Sequence, residues 1–314
     1  MVRIILGRIG LAVPIFFVMT MLTFFLASLV PGDAATTILG ENATPERIAA
    51  LNEELGLNRP VFVQYLDWLG GLFRGDLGVS LYTGEPVTTT LSQRIGPTLS
   101  LAFLSTLFAS IIGVTLGIFA AVRKGWAARV VDSISMLGVS LPNFWVGLLL
   151  ISFFAGTLRL LPSVGYVAPQ VSVSEWLLHL VMPVIALSFA GLALIAKQTR
   201  ETVAEALSRD FMRFLQANGI PRRTLIYKYG LRYSAIPILS AISATFITQT
   251  AGTVVLESVF AIPGMGSLVA RATLNHDLAV LQGAVLAFTI IILLANVITD
   301  ILYSLLNPKV TALA

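Results

Sequence analysis

The chain contains no cysteine, and its 314 residues include only two histidines. The first absence excludes disulfides and thiolate metal sites, and it leaves the redox compartment undecided. The two imidazoles, His179 and His276, have no partner at ligand spacing, so they do not mark a metal centre. Charge is also scarce. Asp, Glu, Lys and Arg make up 11% of the chain, against about 25% in a soluble domain. With 56% hydrophobic residues there is too little polar surface to face water on all sides, and the chain belongs in a bilayer. A net charge of +4 is too small to argue for a nucleic-acid partner. No GxxxxGK[ST] stretch occurs, so ATP has no P-loop to bind here.

Long apolar runs are what the sequence does have. Six reach the roughly 20 residues needed to cross a hydrocarbon core: about 9–30, 98–122, 133–157, 177–197, 235–256 and 279–306. They predict an all-α integral membrane protein with six transmembrane helices. The first run follows Arg3 and Arg8 as in a signal peptide. It outruns the roughly 7–15 residues of a signal core, and "PGDAA" after it is a poor cleavage site, so a retained helix is expected. The segments are then 1–30 with the first span, an extracytoplasmic loop domain at 31–97, a transmembrane core at 98–306, and a tail at 307–314. Six spans put both termini on one side. That side carries fourteen Lys and Arg residues, whereas the short loops opposite carry only Arg159 and Arg271. The bias places both termini in the cytoplasm.

In the external loop, Thr44-Pro45-Glu46 predicts a helix start, with a capping hydroxyl, a proline at the first helical position and an acid in the first turn. Ile48, Leu51 and Leu55 then share a face. "VFVQYLDWLGGLF" follows, and its Tyr65 and Trp68 among aliphatics suit a membrane interface.

Polar groups interrupt the spans. Asn143 follows Pro142 in the third, Gln249 and Thr253 lie in the fifth, Glu257 closes it, and Asn296 and Asp300 lie in the sixth. Lipid does not reward such groups, so each faces a neighbouring helix or a water-filled path. All six are path or gate candidates. Glu257 has two readings, a hydrated or Arg271-paired acid at the outer interface, or a charged group in the external gate.

The most informative stretch is "RDFMRFLQANGIPRRTLIYKYGLRYSAIP", Arg209 to Pro237. Phe211, Phe214 and Leu215 stand at i, i+3 and i+4, which predicts one apolar helical face. Asn218-Gly219 supplies a stop, and Pro221 can start a second helix with Arg222 and Arg223 in its first turn. A helix–turn–helix with an apolar face can lie on the membrane or enter a groove on a partner.

Here the chain resembles the permeases of ABC importers, in particular the dipeptide/oligopeptide/nickel family and its first permease subunit. "RFLQANG" stands where the family has its coupling loop, within 198–234, and Gly219 to Pro237 keeps the family's glycine-to-proline spacing. "VPGDAA", "LGLNRPVFVQYLDWL", "GDLGVSL", "PTLSLAF", "GVTLGIFAAVRKG", "SLPNFWVGLLL", "LPSVG", "VVLESVFAIPGMGSLV" and "LLNPKV" occur in family order. The chain departs from the general importer signature, glutamate-alanine-alanine, with Arg213-Phe214-Leu215. It also has Gln216 and Asn218 where the subfamily has basic residues.

The resemblance implies the six-helix type I permease fold in a bacterial inner membrane. It implies a second homologous permease, two ATPase subunits that hold ATP and Mg, and an extracytoplasmic solute-binding protein. Phe211, Arg213, Phe214, Leu215, Ala217, Gly219, Arg222 and Arg223 would couple to the ATPase. The chain would bind no cofactor and catalyse no reaction itself. Peptides are the first cargo expectation, with nickel, glutathione or another small solute as alternatives within the family. An ion-coupled secondary transporter is the competing class. It needs mid-membrane acids, and Glu257 and Asp300 lie near span ends instead.

Overall fold

A computed structural model describes residues 2–28, 34–40, 43–123 and 125–306. Thirteen α-helices appear among the described residues, with an isolated β-bridge between Val79 and Pro86. In chain order they are α1 Val2–Ser28, α2 Ala34–Leu39, α3 Pro45–Glu54, α4 Val61–Leu72, α5 Val87–Val122, α6 Trp126–Ser140 and α7 Asn143–Leu150. Then come α8 Val173–Ser208, α9 Asp210–Ala217, α10 Arg222–Thr224, α11 Leu231–Val259, α12 Met265–Leu274 and α13 Leu278–Leu306. Two π-helical segments, Ile151–Thr157 and Leu225–Gly230, continue α7 and lead into α11.

Among the described residues, four helical stretches are long and apolar enough to span a membrane: Val87–Val122, Val173–Ser208, Arg222–Val259 and Leu278–Leu306. The first and third expected spans correspond to shorter apolar helices, Val13–Leu26 and Asn143–Thr157. The third expected run is not one helix. Pro142 takes an extended backbone, φ −63° and ψ 132°, and separates α6 from α7. Its ring removes a donor and disfavours helix in the residue before it. Pro14, Pro97, Pro183 and Pro237 are instead carried inside continuous helices. The second expected span begins earlier than expected, because α5 starts at Val87 and takes the end of the expected loop domain. The expected tail at 307–314 lies outside the described residues.

The chain divides into two compact units: Pro97–Ile262 with the segment from Ala295, and Val2–Gly96 with Pro263–Leu294. In the first, α8 and α11 form the principal packing pair. Ser172 starts α8, its hydroxyl accepting from the Glu175 amide at 3.3 Å. The buried face of α8 is rich in small residues, including Ala186, Ser188, Gly191, Ala193 and Ala196. In a bilayer, where apolar burial gives little drive, small residues let helices approach for dispersion contacts. Gly191 sets the closest approach. A Cβ there would lie 2.3 Å from Thr245 Cγ2 and 2.6 Å from Gln249 Nε2. The apolar core of this unit gathers Leu101, Leu180, Met182, Leu187, Leu256, Phe260 and Ile262.

The second unit holds its own core of Val87, Leu91, Met265, Leu268, Val280, Leu281 and Ala284. Asp277 caps α13, its Oδ1 accepting from the Val280 amide at 3.3 Å, while its Oδ2 accepts from the Ser80 hydroxyl at 2.5 Å. One carboxylate thus ties the loop before α5 to the start of α13. The expected helix start at Thr44 is present, the hydroxyl accepting from the Arg47 amide at 3.4 Å. Ile48, Leu51 and Leu55 are half-buried.

Candidate functional site

The first site is the elbow from Glu205 to Tyr233. Arg209, extended at φ −69° and ψ 147°, stops α8. α9 begins one residue on, with Asp210 in its first turn where the helix dipole favours an acid. Arg209 pairs with Glu205, lies 5.9 Å over the Tyr233 ring, and is held above its ordinary pKa first by the Glu205 hydrogen bond and then by Tyr233. Arg213 reaches Asp210 at 3.4 Å, both side chains largely in solvent, so that pair adds about 0–1 kcal/mol.

The end of α9 is a Schellman motif. The Ile220 amide donates to Leu215 O at 3.2 Å and the Gly219 amide to Gln216 O at 3.0 Å. Gly219 has φ +82°, a left-handed conformation that costs other residues roughly 1–2 kcal/mol. Ile220 and Leu215 both pack on the cluster of Ala206, Met212 and Leu225, completing the motif's apolar contact.

The expected shared face of Phe211, Phe214 and Leu215 is divided in the structure. Leu215 is half-buried against the elbow's own cluster. Phe211 and Phe214 turn outward, at 42% and 68% exposure, while Met212 is the inward anchor at 2%. Helical spacing gives a face but does not say which face is already covered, and i, i+3 pairing of Met212 with Leu215 was the available signal. Phe211 also lies 6.0 Å from the Tyr233 ring. Arg213, Ala217, Gly219, Arg222 and Arg223 are exposed in the same elbow.

The second site is the polar content of α11. Its buried face runs Ser234, Ile238, Ala241, Thr245, Gln249, Thr253, Leu256 and Glu257. Gln249 Oε1 accepts from the Thr106 hydroxyl at 2.8 Å, and its Nε2 donates to Leu187 O at 3.4 Å. The Thr253 hydroxyl donates to Thr250 O at 2.9 Å. Glu257 is fully buried, and its Oε1 accepts from the Thr98 hydroxyl at 2.7 Å. The reading of Glu257 as a hydrated acid at the outer interface is therefore corrected, since the carboxylate sits inside the first unit on a hydroxyl of α5. Thr98 and Thr106 were missed as partners because nothing in local spacing links them to α11.

The opposite face of α11 exposes Ser240, Ala244, Thr248, Ala251, Val255 and Ser258. Ser240 meets the Tyr303 hydroxyl at 2.5 Å and Ser243 meets Thr299 at 2.8 Å, both on α13. Asn296 is exposed and Asp300 half-buried on that helix. Asn143 is half-buried at the start of α7, its Nδ2 3.9 Å from where a Gly252 Cβ would stand.

A third feature lies within the second unit. A cavity of about 210 Å³ is lined by Tyr82, Glu85, Arg94, Arg271, Asn275 and Asp277 among others. His276, in its rim turn, has a left-handed φ of +53°.

Apolar helices of spanning length with buried hydroxyl and amide contacts, and an elbow presenting two phenylalanines, define an integral membrane protein. The chain belongs to the family of binding-protein-dependent transport system inner membrane components, matching that family over residues 113–312 and its N-terminal region over residues 1–102. It is 37% identical over 307 residues to a protein of Sinorhizobium fredii named as a peptide ABC transporter permease, with 98% of each chain covered. It is 35% identical to a peptide transport system permease protein of Brucella abortus and 32% identical to the dipeptide transport system permease protein DppB of Escherichia coli, with 99% of each chain covered in both cases. Among solved structures, an inward-facing MetNI methionine ABC transporter chain matches with a TM-score of 0.58 at 18% identity, covering 70% of this chain and 97% of that one. That likeness supports the fold.

Proposed function

We propose that this permease carries di- and oligopeptides, as one of two homologous permease chains above two ATPase subunits and below an extracytoplasmic solute-binding protein. The cargo reading is supported by near full-length relatives whose names specify peptides or dipeptides. ATP and Mg belong to the ATPase subunits in this reading. The chain's own part is mechanical.

The observation that carries the reading is the build of α9. Met212 and the Schellman turn fix the helix to the ends of α8 and α11, while Phe211 and Phe214 stay outside. A knob attached to two spans, with an apolar tip, suits a groove on a partner. Closure of the ATPase pair would move that knob, and the two spans with it. Such coupling requires the dock to differ in energy between two global states. The termini and elbow are cytoplasmic in this account, as the basic-residue bias argues.

For the path, the exposed face of α11 from Ser240 to Ser258, mostly small residues with Val255 among them, is the wall we assign to cargo, with Asn296 of α13. Gln249, Thr253 and Glu257 stiffen that wall from behind. The cavity bearing Arg94 and Arg271 is the surface we assign to the binding protein. Reconstitution with the partner subunits tests the whole reading. ATP-dependent peptide uptake that requires the binding protein and ignores ionophores is expected. Uptake without ATP that ionophores collapse would overturn it. Calorimetry of the partner binding protein against dipeptide, longer peptide, Ni²⁺ and glutathione tests cargo, and binding of only the last two would overturn peptide.

A further inference from the structure

We propose that α4 is a lipid-seated helix, with Phe62, Leu66 and Phe73 in the acyl boundary of the leaflet where α1 ends. Three sectors of α4 carry the inference. The first is covered by α1: Tyr65 is buried, its hydroxyl lies 3.1 Å from the Thr20 hydroxyl, and its ring lies 5.7 Å from that of Phe24. Trp68 stacks on Tyr65 at 6.2 Å. The second is polar: Asp67 pairs with Arg59 at 2.7 Å, and Gln64 Nε2 donates to Leu57 O and Arg59 O. The third is apolar and uncovered. Phe62, Leu66 and Phe73, with the half-buried Leu69 between them, recur at i, i+4, i+11 and i+7, one narrow stripe of a helix. Phe62 is 59% exposed, Leu66 47% and Phe73 74%.

Depth decides the occupant. Thr20 and Phe24 lie eight and four residues before Ser28, about 12 and 6 Å below the end of α1 at roughly 1.5 Å per residue. Both fall inside its apolar stretch Val13–Leu26. α1 itself exposes Val18, Met21, Leu22, Phe25 and Leu26, so at this depth the outward surface of the unit is apolar, as lipid requires of a membrane component. An interfacial helix sinks its apolar face about 5–10 Å into the headgroup and acyl boundary, which matches the depth of the Tyr65 contact. Arg59 and Arg74 bracket the helix, and long cationic side chains at such ends reach headgroup phosphates while their stems stay apolar.

The absence of cysteine makes the test direct. Phe62→Cys, Leu66→Cys, Phe73→Cys and, as the water-side control, Asp67→Cys are each spin-labelled in the full chain. The chain is reconstituted in liposomes with its partner subunits made cysteine-free. Accessibility to oxygen and to a water-soluble nickel chelate is then compared. The expected ratio of oxygen to nickel accessibility is at least several-fold higher at 62, 66 and 73 than at 67. High nickel accessibility at those three positions would place the stripe in water and overturn the proposal. Low accessibility to both reagents would place it against protein and overturn it as well.

Discussion

α9 and α4 are short helices of similar design to which we assign opposite surroundings. Each buries one residue against a longer helix, Met212 in one and Tyr65 in the other, and each turns phenylalanines outward. In α9 the outward apolar patch is two rings wide, and Arg213, Arg222 and Arg223 of the same elbow are exposed. Its far end is locked by Gly219. In α4 the apolar residues form a stripe along the whole helix, with charge kept to the Asp67 side and the flanks. A compact apolar tip of two rings fits a shaped protein groove, where anchors in a pocket carry most of the energy. A long stripe with no defined edge fits a fluid. The difference separates two readings that hydrophobicity alone leaves equal.

The comparison can be broken in several ways. The largest expected effect is from Phe214→Asp, which puts a charge at the tip. Copurification of the ATPase subunits should fall more than tenfold, whereas Phe62→Ala should leave it unchanged. Equal losses from both would erase the distinction. Next is the Gly219 lock. Gly219→Val forces a β-branched residue into a left-handed backbone, and substrate-stimulated ATPase activity should be lost while membrane abundance holds. Gly219→Asn, which tolerates that backbone, should keep most of it, since no atom lies within 4 Å of a Cβ at that position. Wild-type coupling in the valine variant would refute the lock.

A smaller effect is expected at the anchor. Met212→Ala removes a buried side chain, a change that typically costs about 2–5 kcal/mol. The expected readout is faster proteolysis within 209–222. Smallest is Arg213→Ala, which removes an exposed pair and should shift ATPase association by no more than about 1 kcal/mol.

Part of this was legible in the sequence. The α9 stop at Asn218-Gly219 and the α3 start at Thr44 depend on local backbone chemistry, which a few residues determine. Where tertiary contact decides, the sequence was silent. α5 begins at Val87 although "TTTLSQRIG" is polar and Gly96-Pro97 reads as a helix break; the burial of Val87 and Leu91 in the second unit's core is a tertiary contact that local sequence does not announce. The sense of Leu215 depends on Met212 and Ile220 covering it. Gln249 and Glu257 read equally as path or packing, and Thr106 and Thr98, distant in sequence, give their side chains hydrogen bonds inside the fold. In a bilayer an apolar residue suits lipid and core alike, so periodicity loses the inside–outside contrast that a water-soluble chain supplies.

The most direct test is cross-linking from Phe214→Cys in the assembled transporter, with a short bifunctional reagent added to inside-out vesicles. The account predicts a covalent adduct between this chain and an ATPase subunit, lost when Phe211 is also changed to Asp. No adduct, together with labelling of residue 214 by an impermeant reagent added outside intact cells, would contradict it.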